Sequence, residues 1–284
     1  MNSSVVNLND IASIYEGAKS KNDVCSSFGT RPIQLALAKK AVSQVNIPEG
    51  FVITQIGFNQ ISSSYDTKKE NSQNSENTLP SDIWALVVEQ IQKIENITKK
   101  KYGSENPLFL TVSNVAPSPG AICIGMNDYT TRMFEKTINN RSYAYHCYSE
   151  FIKTYGILVL NIPEEEFDRL LDSYIESRNL SSRDKFNALD WTQVSKLYKS
   201  VIVRYGGFPF PQDPFEQLKQ IILASVSHYR SEKTSLFRSQ IQENSNTGPS
   251  ILIKEMVFGG QNEKCCCVIA SSHDLTTGEF KLSG

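Results

Sequence analysis

The stretch FPFPQDPFEQLKQIILASVSHY, residues 208 to 229, carries the clearest local signal in the chain. Asp213 stands directly before Pro214, and Glu216 follows three residues after Asp213, which is the arrangement of an N-cap, a first-turn proline and a capping-box acid. Behind this start an apolar face recurs at helical spacing, at Leu218, Ile221, Ile222 and Val226. The stretch predicts a helix that begins at Pro214 and packs on a core.

Bulk composition is that of a globular protein. The 284 residues are 39% apolar and 21% charged, enough for one large domain or two smaller ones. A formal net charge of −1 lacks the basic field with which nucleic-acid and membrane-surface binders recruit phosphate. No apolar run reaches the ~20 residues that span a bilayer, and the N-terminus lacks the pattern of a secretory signal. We therefore predict a cytoplasmic protein without nucleic-acid or membrane partners.

Upstream of the opening stretch, hydrophobic spacing predicts two helices and a strand. Residues 31–45 form the first helix, and residues 51–54 form a strand after a Pro-Glu-Gly turn. The second helix starts after Pro80 and ends at Gly103, with the lysines of residues 99–101 complementing its dipole. Its apolar stripe comprises Ile83, Val87, Ile91, Ile94 and Ile97.

Two segments lack such spacing. Residues 1–27 are polar and predict a loose arm or a short edge element. Residues 59–79 carry too little large apolar surface to offset the entropy of ordering the chain, so they predict a mobile surface loop.

Residues 129–205 read as a helical section with three apolar stripes. One stripe ends at Gly156 and another at the glycines of residues 206–207. The carboxylates of residues 164–166 suit a first helical turn, and we assign them no catalytic role.

The C-terminal region predicts strands at residues 251–258 and 265–270. Cys265, Cys266 and Cys267 would alternate between the faces of the second strand, so they cannot jointly hold one metal ion. Six cysteines in a chain of this length do not form a disulfide framework.

One loop raises a question about phosphate. In LTVSNVAPSPGAICIGMND, residues 110–128, an apolar strand breaks into prolines, glycines and small residues before a helix begins. Loops of this kind often hold phosphate through backbone N–H groups. No lysine or arginine occurs from Leu110 through Asn127, so the loop is either a phosphate site without its charges or a plain turn.

Six strings of the sequence resemble the N-terminal nucleotide-binding domain of pyruvate phosphate dikinase. The strings occur in the family's order from about Phe28 to the C-terminus. They are NIPEGFVIT (46–54), KYGSENPLFLTVS (101–113), SYAYHCYSEFIKTYG (142–156), FPQDPFEQLKQII (210–222), IKEMVFGG (253–260) and TTGEF (276–280).

The resemblance implies an α+β, ATP-grasp-like fold: mixed sheets packed with helices, an all-helical insertion and a partial small β lobe. The implied units are a polar N-terminal arm (1–27), a first lobe (28–128 and 206–245), a helical subdomain (129–205) and an incomplete nucleotide-binding β lobe (246–284).

The resemblance also implies a nucleotide site. Arg31 matches the lysine of the family's Gly-rich phosphate loop. Residues 254–257 match the segment beside the adenine, where backbone groups pair with the base: Lys254, Glu255, Met256 and Val257. ATP or AMP is therefore the expected ligand, bound weakly.

Other family features are missing. Ser113 stands where the family carries an arginine that contacts phosphate, and Pro117–Gly120 keep a turn without a second arginine. The carboxylates that hold Mg²⁺ in the family follow TTGEF, and the sequence ends at Gly284. We therefore expect no Mg²⁺ site and assign no catalytic or metal-binding residue.

In the family, this domain uses ATP and Mg²⁺ to phosphorylate a histidine on a separate swivelling domain, and pyruvate then receives the phosphoryl group. Three hypotheses stay open for this chain. It is a dikinase-like ATP-binding domain that is inactive alone, a pseudoenzyme that serves as a protein-interaction or regulatory module, or one half of a split dikinase. The third needs a partner chain that completes the small lobe or carries the phosphohistidine domain. Whether the chain is an enzyme stays undecided.

Overall fold

The computed structural model describes residues 3–42, 44–69, 78–114, 120–240, 249–262, 264–268, 270–274 and 277–281. The strands within these residues are β1 (Val5–Asn7), β2 (Gly50–Ile53), β3 (Lys101–Tyr102), β4 (Pro107–Leu108), β5 (Leu110–Asn114), β6 (Ala121–Ile124) and β7 (Ile251–Glu255). The helices are α1 (Leu8–Gly17), α2 (Lys21–Phe28), α3 (Thr30–Ala41), α4 (Gln55–Lys69), α5 (Ser81–Thr98), α6 (Asp128–Ile138), α7 (Arg141–Leu160), α8 (Glu164–Ser177), α9 (Ala188–Gly206), α10 (Pro214–Arg230) and α11 (Glu232–Gln240), with a 3-10 turn at Arg183–Lys185.

The main sheet has five strands in the order β1-β2-β7-β5-β6, and all its neighbours are antiparallel. A small parallel pair, β3 and β4, lies apart from it. The α+β class predicted from the sequence is confirmed. Helices also occupy most of residues 129–205, as the three stripes predicted.

Strand β7 lies in the middle of the main sheet and separates two hydrophobic cores. Ile251 and Ile253 belong to the larger core, which contains the buried faces of α5, α7, α9 and α10. Leu252, on the opposite face of the pleat, belongs to a smaller core with α1, α2 and α3. The alternation along β7 therefore fixes which residues face each core.

The N-terminal residues differ from the expected loose arm. Residues 5–7 do form an edge strand, but α1 and α2 follow it, and Leu8, Ile11 and Val24 are fully buried in the smaller core. The apolar residues of this segment are few, and they are surrounded by polar residues, so they form no helical pattern that the sequence alone reveals. They are nevertheless enough to cover one half of a sheet face.

The expected surface loop is helical over its first part. Helix α4 extends through residue 69, and Phe58 and Ile61 bury their side chains in the larger core. These two apolar residues anchor a helix that is otherwise largely polar. Residues 70–77 of the expected loop lie outside the described residues.

Two helix ends differ from the sequence expectations, and one helix start agrees with them. Helix α5 ends at Thr98, and its C-cap Lys99 takes the left-handed conformation (φ 60°) four residues before Gly103. Helix α7 continues through Gly156 and does not end there. Close packing explains the glycine, because an added Cβ would lie 2.5 Å from Phe167 Cζ. Asp213 caps α10 as predicted.

The carboxylate of Glu216 does not complete a capping box at the start of α10. It accepts instead from Gln220 Nε2 at 2.8 Å, one turn further along the same helix. The cap therefore consists of Asp213, whose side chain accepts from Phe215 N, and of the proline after it.

The C-terminal region contains less strand than expected. Strand β7 ends at residue 255, three residues short of the predicted end, and the described residues between 264 and 270 form no strand. Cys266 and Cys267 are exposed. The turn at residues 117–119 lies outside the described residues, and the domain boundaries stay a prediction.

Candidate nucleotide site

Arg31 lies in the first turn of α3, and no side chain caps this turn. The N-cap residue is Gly29, with φ +80°, and a Cβ there would lie 2.8 Å from Ser250 Oγ. Ser250 Oγ in turn donates to the carbonyl of Phe28 at 2.7 Å, which fixes the loop against the start of β7. The loop thus requires a glycine, and the helix presents its positive end with an exposed Arg31 beside it.

Lys254 lies on β7, half-buried, on the face opposite the larger core. It is in register with Gly50 of β2 and with Thr111 of β5. A Cβ at Gly50 would lie 2.8 Å from Lys254 Cβ and 2.7 Å from the carbonyl oxygen of Ile253. The absence of a side chain at Gly50 is therefore what allows Lys254 this position.

The fold brings Arg31 and Lys254 together, although 223 residues separate them in the sequence. Burial lowers the pKa of Lys254, the positive charge of Arg31 lowers it further, and the Glu255 carboxylate opposes both effects in part. Neither side chain forms an ion pair with another described residue. The positive charges of Arg31 and Lys254 therefore repel each other.

Thr111 adds an unsatisfied hydroxyl to this face. The residue is 6% exposed, and its Oγ1 has no hydrogen-bond partner among the described residues. Because it is directly opposite Lys254 in an antiparallel pair, both side chains lie on the same side of the sheet. Buried hydroxyls are bonded in most proteins, so this one marks a place where another polar group can bind.

Glu255 lies on the opposite face of β7. Its Oε1 accepts from Lys100 Nζ at 2.7 Å, in an ion pair where the carboxylate is 14% exposed. The backbone N–H of Glu255 donates to the carbonyl of Glu49, and that of Met256 donates to the carbonyl of Phe109, both at 2.8 Å. Two of the N–H groups expected to pair with a base are thus already used within the fold.

A cavity of about 360 Å³ lies beside Met256 on the Glu255 side of the sheet. Its apolar wall includes Phe109, Phe134 and Phe258, and the ring centroids of Phe134 and Phe258 are 4.4 Å apart. Val257, 62% exposed, lies just beyond the end of β7. The five residues expected from the sequence therefore divide: Arg31 and Lys254 share one face, whereas Glu255 and Met256 face the other.

Sequence reasoning missed Thr111, Gly50 and Lys100. The lysines of residues 99–101 suggest only a complement to the helix dipole, yet Lys100 pairs with Glu255, 155 positions later. Register between β2, β7 and β5 defines the roles of Gly50 and Thr111, and a single sequence does not specify strand pairing.

No protein-family profile matches the chain, but curated proteins do. Pyruvate, phosphate dikinase 1 of Oryza sativa is 28% identical over 276 residues, which is 95% of this chain and 27% of that protein. The dikinase of Clostridium symbiosum is 25% identical over 256 residues, and that of Rhizobium meliloti 28% over 214 residues. The chain is a diverged relative of the pyruvate, phosphate dikinases.

The dikinase relationship covers only part of those enzymes. The alignments include 87% and 73% of this chain but 28% and 24% of the clostridial and rhizobial proteins. The rice relative is named chloroplastic, so a cytoplasmic location stays a prediction.

Two searches of the described residues bear on other kinds of site. None of the helices has the length and apolar character needed to cross a membrane. In the same residues, histidine, cysteine and carboxylate side chains form no group of three or more that could hold a metal ion.

Proposed function

We propose that this chain is a dikinase-type nucleotide-binding module that binds ATP or AMP weakly and does not transfer a phosphoryl group by itself. One observation carries the proposal: the positive charge of Arg31, which matches the family's phosphate loop, is close enough to lower the pKa of Lys254, which matches the family's base segment. The unsatisfied Thr111 hydroxyl lies on the same face of the sheet as Lys254.

A polyphosphate would suit the charges of this face. Its negative charge would offset the repulsion between Arg31 and Lys254 and would raise the pKa of Lys254 again. The first turn of α3 supplies backbone N–H groups and a positive dipole end beside Arg31. Thr111 Oγ1 would gain the hydrogen bond that it lacks.

The base side of the site is less open. Val257 and the backbone beyond β7 stay exposed, whereas the N–H groups of Glu255 and Met256 are used within the fold. A base would therefore meet fewer backbone partners than the family pattern implies. This is our reason for proposing weak binding and for including AMP beside ATP.

Phosphoryl transfer demands more than phosphate binding. The reaction depends on positioning and on neutralising the charge that develops on the transferred group, which kinases achieve with metal ions held by carboxylates. Two mutually repelling cations on the described face neutralise part of a triphosphate but do not align a γ-phosphate with an acceptor. We therefore propose binding without turnover.

Thermal shift and calorimetric titration with ATP and with AMP, each with and without Mg²⁺, test the proposal. We expect a stabilising shift that Arg31→Ala weakens by about tenfold in affinity, since a hydrogen bond to a charged group contributes roughly 1.5–3 kcal/mol. Lys40→Ala is the matched control, because Lys40 lies on the same helix but pairs with Glu16 at the surface.

Two results would count against the proposal. Absence of any shift at millimolar ATP or AMP would remove the binding function. Release of γ-phosphate that disappears in Arg31→Ala, but not in Lys40→Ala, would show that the chain is a catalyst in its own right.

A further inference from the structure

A cleft lies where the start of α7, the 3-10 turn at Arg183–Lys185 and α9 meet. Its volume is about 400 Å³, within the ~300–1,000 Å³ typical of small-molecule sites. The residues matched to the family's nucleotide segments, 31 and 254–257, do not line it. Its lining includes four rings and two opposite charges: Tyr143, His146, Phe186, Trp191, Arg183 and Asp184. The cleft is therefore a second candidate site, and its side chains define the kind of ligand that would fit.

Three of the rings form a continuous aromatic surface. The ring centroids of His146 and Trp191 are 4.2 Å apart, and Phe186 meets Trp191 edge-on at 5.0 Å. Phe186 and Trp191 are each 8% exposed, so the fold holds both rings in place. Burial lowers the pKa of His146 against the opposing Glu150 carboxylate, and the charge of Arg183 lowers it further. The imidazole is therefore uncharged at neutral pH and extends the surface on which a planar group can stack.

The loop after β7 is tied to the start of α7 at this cleft. Gly260 N donates to the hydroxyl of Tyr143 at 3.2 Å, and Asn140 Nδ2 donates to the carbonyl of Gln261 at 3.1 Å. An added Cβ at Gly260 would lie 2.4 Å from Tyr143 Cε2, so a glycine is needed for the backbone to lie against this ring. Segments distant in the sequence therefore preform the cleft without a ligand.

Arg183 and Asp184 bring opposite, exposed charges to the same cleft. Within the described part of the chain, neither side chain forms an ion pair. The carboxylate of Asp184 accepts only a long hydrogen bond, from Ser182 Oγ at 3.3 Å. A ligand with a single charge would be attracted by one of these two residues and repelled by the other, whereas a zwitterion would be attracted by both.

We propose that this cleft binds a free amino acid with an aromatic side chain. The ring of the ligand stacks on the surface of His146 and Trp191. Its carboxylate pairs with the guanidinium of Arg183, a geometry that permits two parallel hydrogen bonds, and its ammonium group pairs with Asp184. Both protein charges are exposed and screened by solvent, so we expect a dissociation constant on the order of 1 mM. This site is separate from the proposed nucleotide function and does not depend on it.

Tryptophan emission gives a direct readout, because the chain has two tryptophans and Trp84→Phe leaves Trp191 as the only one. The full chain with this substitution is titrated with L-phenylalanine, and calorimetry on the unsubstituted chain checks the affinity. Three analogues each lack one group: 3-phenylpropionate lacks the ammonium, phenethylamine the carboxylate and L-alanine the ring. We expect saturable binding of L-phenylalanine and at least about tenfold weaker binding of each analogue, since each loses one of the three contacts.

Two variants assign the charges to their partners. Arg183→Gln should weaken L-phenylalanine and strengthen phenethylamine, because the repulsion of the amine is removed. Asp184→Asn should weaken L-phenylalanine and strengthen 3-phenylpropionate for the corresponding reason. Lys185→Gln is the matched control, since Lys185 is exposed on the same 3-10 turn but does not line the cleft. All three side chains are exposed, and the melting temperature checks that each variant folds.

The proposal is overturned if neither method detects saturable binding of L-phenylalanine up to its solubility limit. Equal affinity for L-phenylalanine and 3-phenylpropionate would also overturn it, because the cleft would then not recognise a zwitterion. A third contrary result is the same loss of affinity in Arg183→Gln and in Lys185→Gln, which would reduce the role of Arg183 to general surface charge. The crossed preferences of the two charge variants are the result that a purely structural role of these residues would not produce.

Discussion

Replacing Lys254 by methionine should stabilise the ligand-free protein while weakening nucleotide binding. If Lys254 were only a structural residue, the same substitution would destabilise the ligand-free protein, since it would remove favourable contacts. The prediction rests on two facts: Lys254 is half-buried, and the charge with the largest effect on its pKa is the like charge of Arg31. Methionine keeps the length of the stem and removes the charge.

The size of the gain follows from the partial exposure of the side chain. Removing an unfavourable charge commonly contributes roughly 0.5–2 kcal/mol to the free energy of unfolding. Solvent screening at a half-buried position keeps the value near the lower end, about 0.5–1 kcal/mol. For a chain of this length, each kcal/mol raises the melting temperature by about 2 °C.

Lys100→Met is the matched control, because Lys100 pairs with Glu255, the neighbour of Lys254 in the sequence, on the other face of the sheet. Its partner Glu255 is 14% exposed, so the substitution leaves a largely buried carboxylate without its cation. We expect the control to lose about 1 kcal/mol of stability, whereas Lys254→Met gains. Chemical denaturation at a fixed pH measures both variants.

Proton uptake supplies an independent readout for Lys254. Its pKa is lowered in the fold, so the unfolded chain binds more protons between the folded and unfolded pKa values. The penalty is fully present below the folded pKa and disappears as the pH rises above the unfolded value. A bound polyphosphate would raise the pKa again, so ATP should bind with proton uptake near the folded pKa and more weakly at higher pH.

Titrations in buffers of different ionisation enthalpy measure that uptake. The reasoning is refuted if Lys254→Met lowers the free energy of unfolding by more than about 1 kcal/mol and leaves the affinity for ATP unchanged. That pair of results would make Lys254 a packing residue whose place near Arg31 is incidental.

Three further variants test the packing and charge of the fold. Gly156→Ala should destabilise by about 1–2 kcal/mol, since overpacking against Phe167 outweighs the gain in helix propensity; denaturant unfolding measures it, and a more stable variant would contradict it. Thr111→Val should leave stability unchanged or raise it by about 1 kcal/mol while weakening ATP binding, because it removes a buried, unsatisfied hydroxyl. Asp190→Ala should cost about 2–3 kcal/mol, as the buried carboxylate caps α9 and accepts from Tyr174 and Arg178. Burial raises the pKa of Asp190, but these hydrogen bonds outweigh it and lower the value, so this stability should be lost as the pH falls through the folded pKa and should be absent from the pH profile of the variant.

The sequence was sufficient for elements whose signals are local. The start of α10 at Pro214, with Asp213 as its cap, and the stripes of α5, α7, α8 and α9 depend on spacing within one helix. For residues 1–27 the short edge element was found as β1, but the loose arm was wrong, because the small core of Leu8, Ile11 and Val24 exists only once α1 and α2 lie on the sheet. Gly156 was misread as a terminator because its packing partners come from α8 and α9.

In the candidate site, too, local sequence signals could be predicted and contacts between distant segments could not. Arg31 and Lys254 could be proposed from motif matches, but their proximity is a property of the fold. The assignment of Glu255 as a base contact did not anticipate its ion pair with Lys100, since nothing in either local sequence indicates the other. Thr111 had no signal at all until strand register placed its hydroxyl opposite Lys254.

Strand β7 explains how the fold holds Lys254 in place. Ile251 and Ile253 belong to one core and Leu252 to the other, so a shift of one residue would exchange every buried side chain for the wrong face. Lys254 is therefore held in place by the apolar packing of its β7 neighbours on both sides of the sheet. Ser113 lies on β5 in register with Leu252, so its side chain lies on the same face of the sheet as that buried leucine. The two hydrophobic cores therefore determine the position of Lys254. Substitution of Lys254 by methionine keeps this packing and tests only the contribution of its charge to ligand binding.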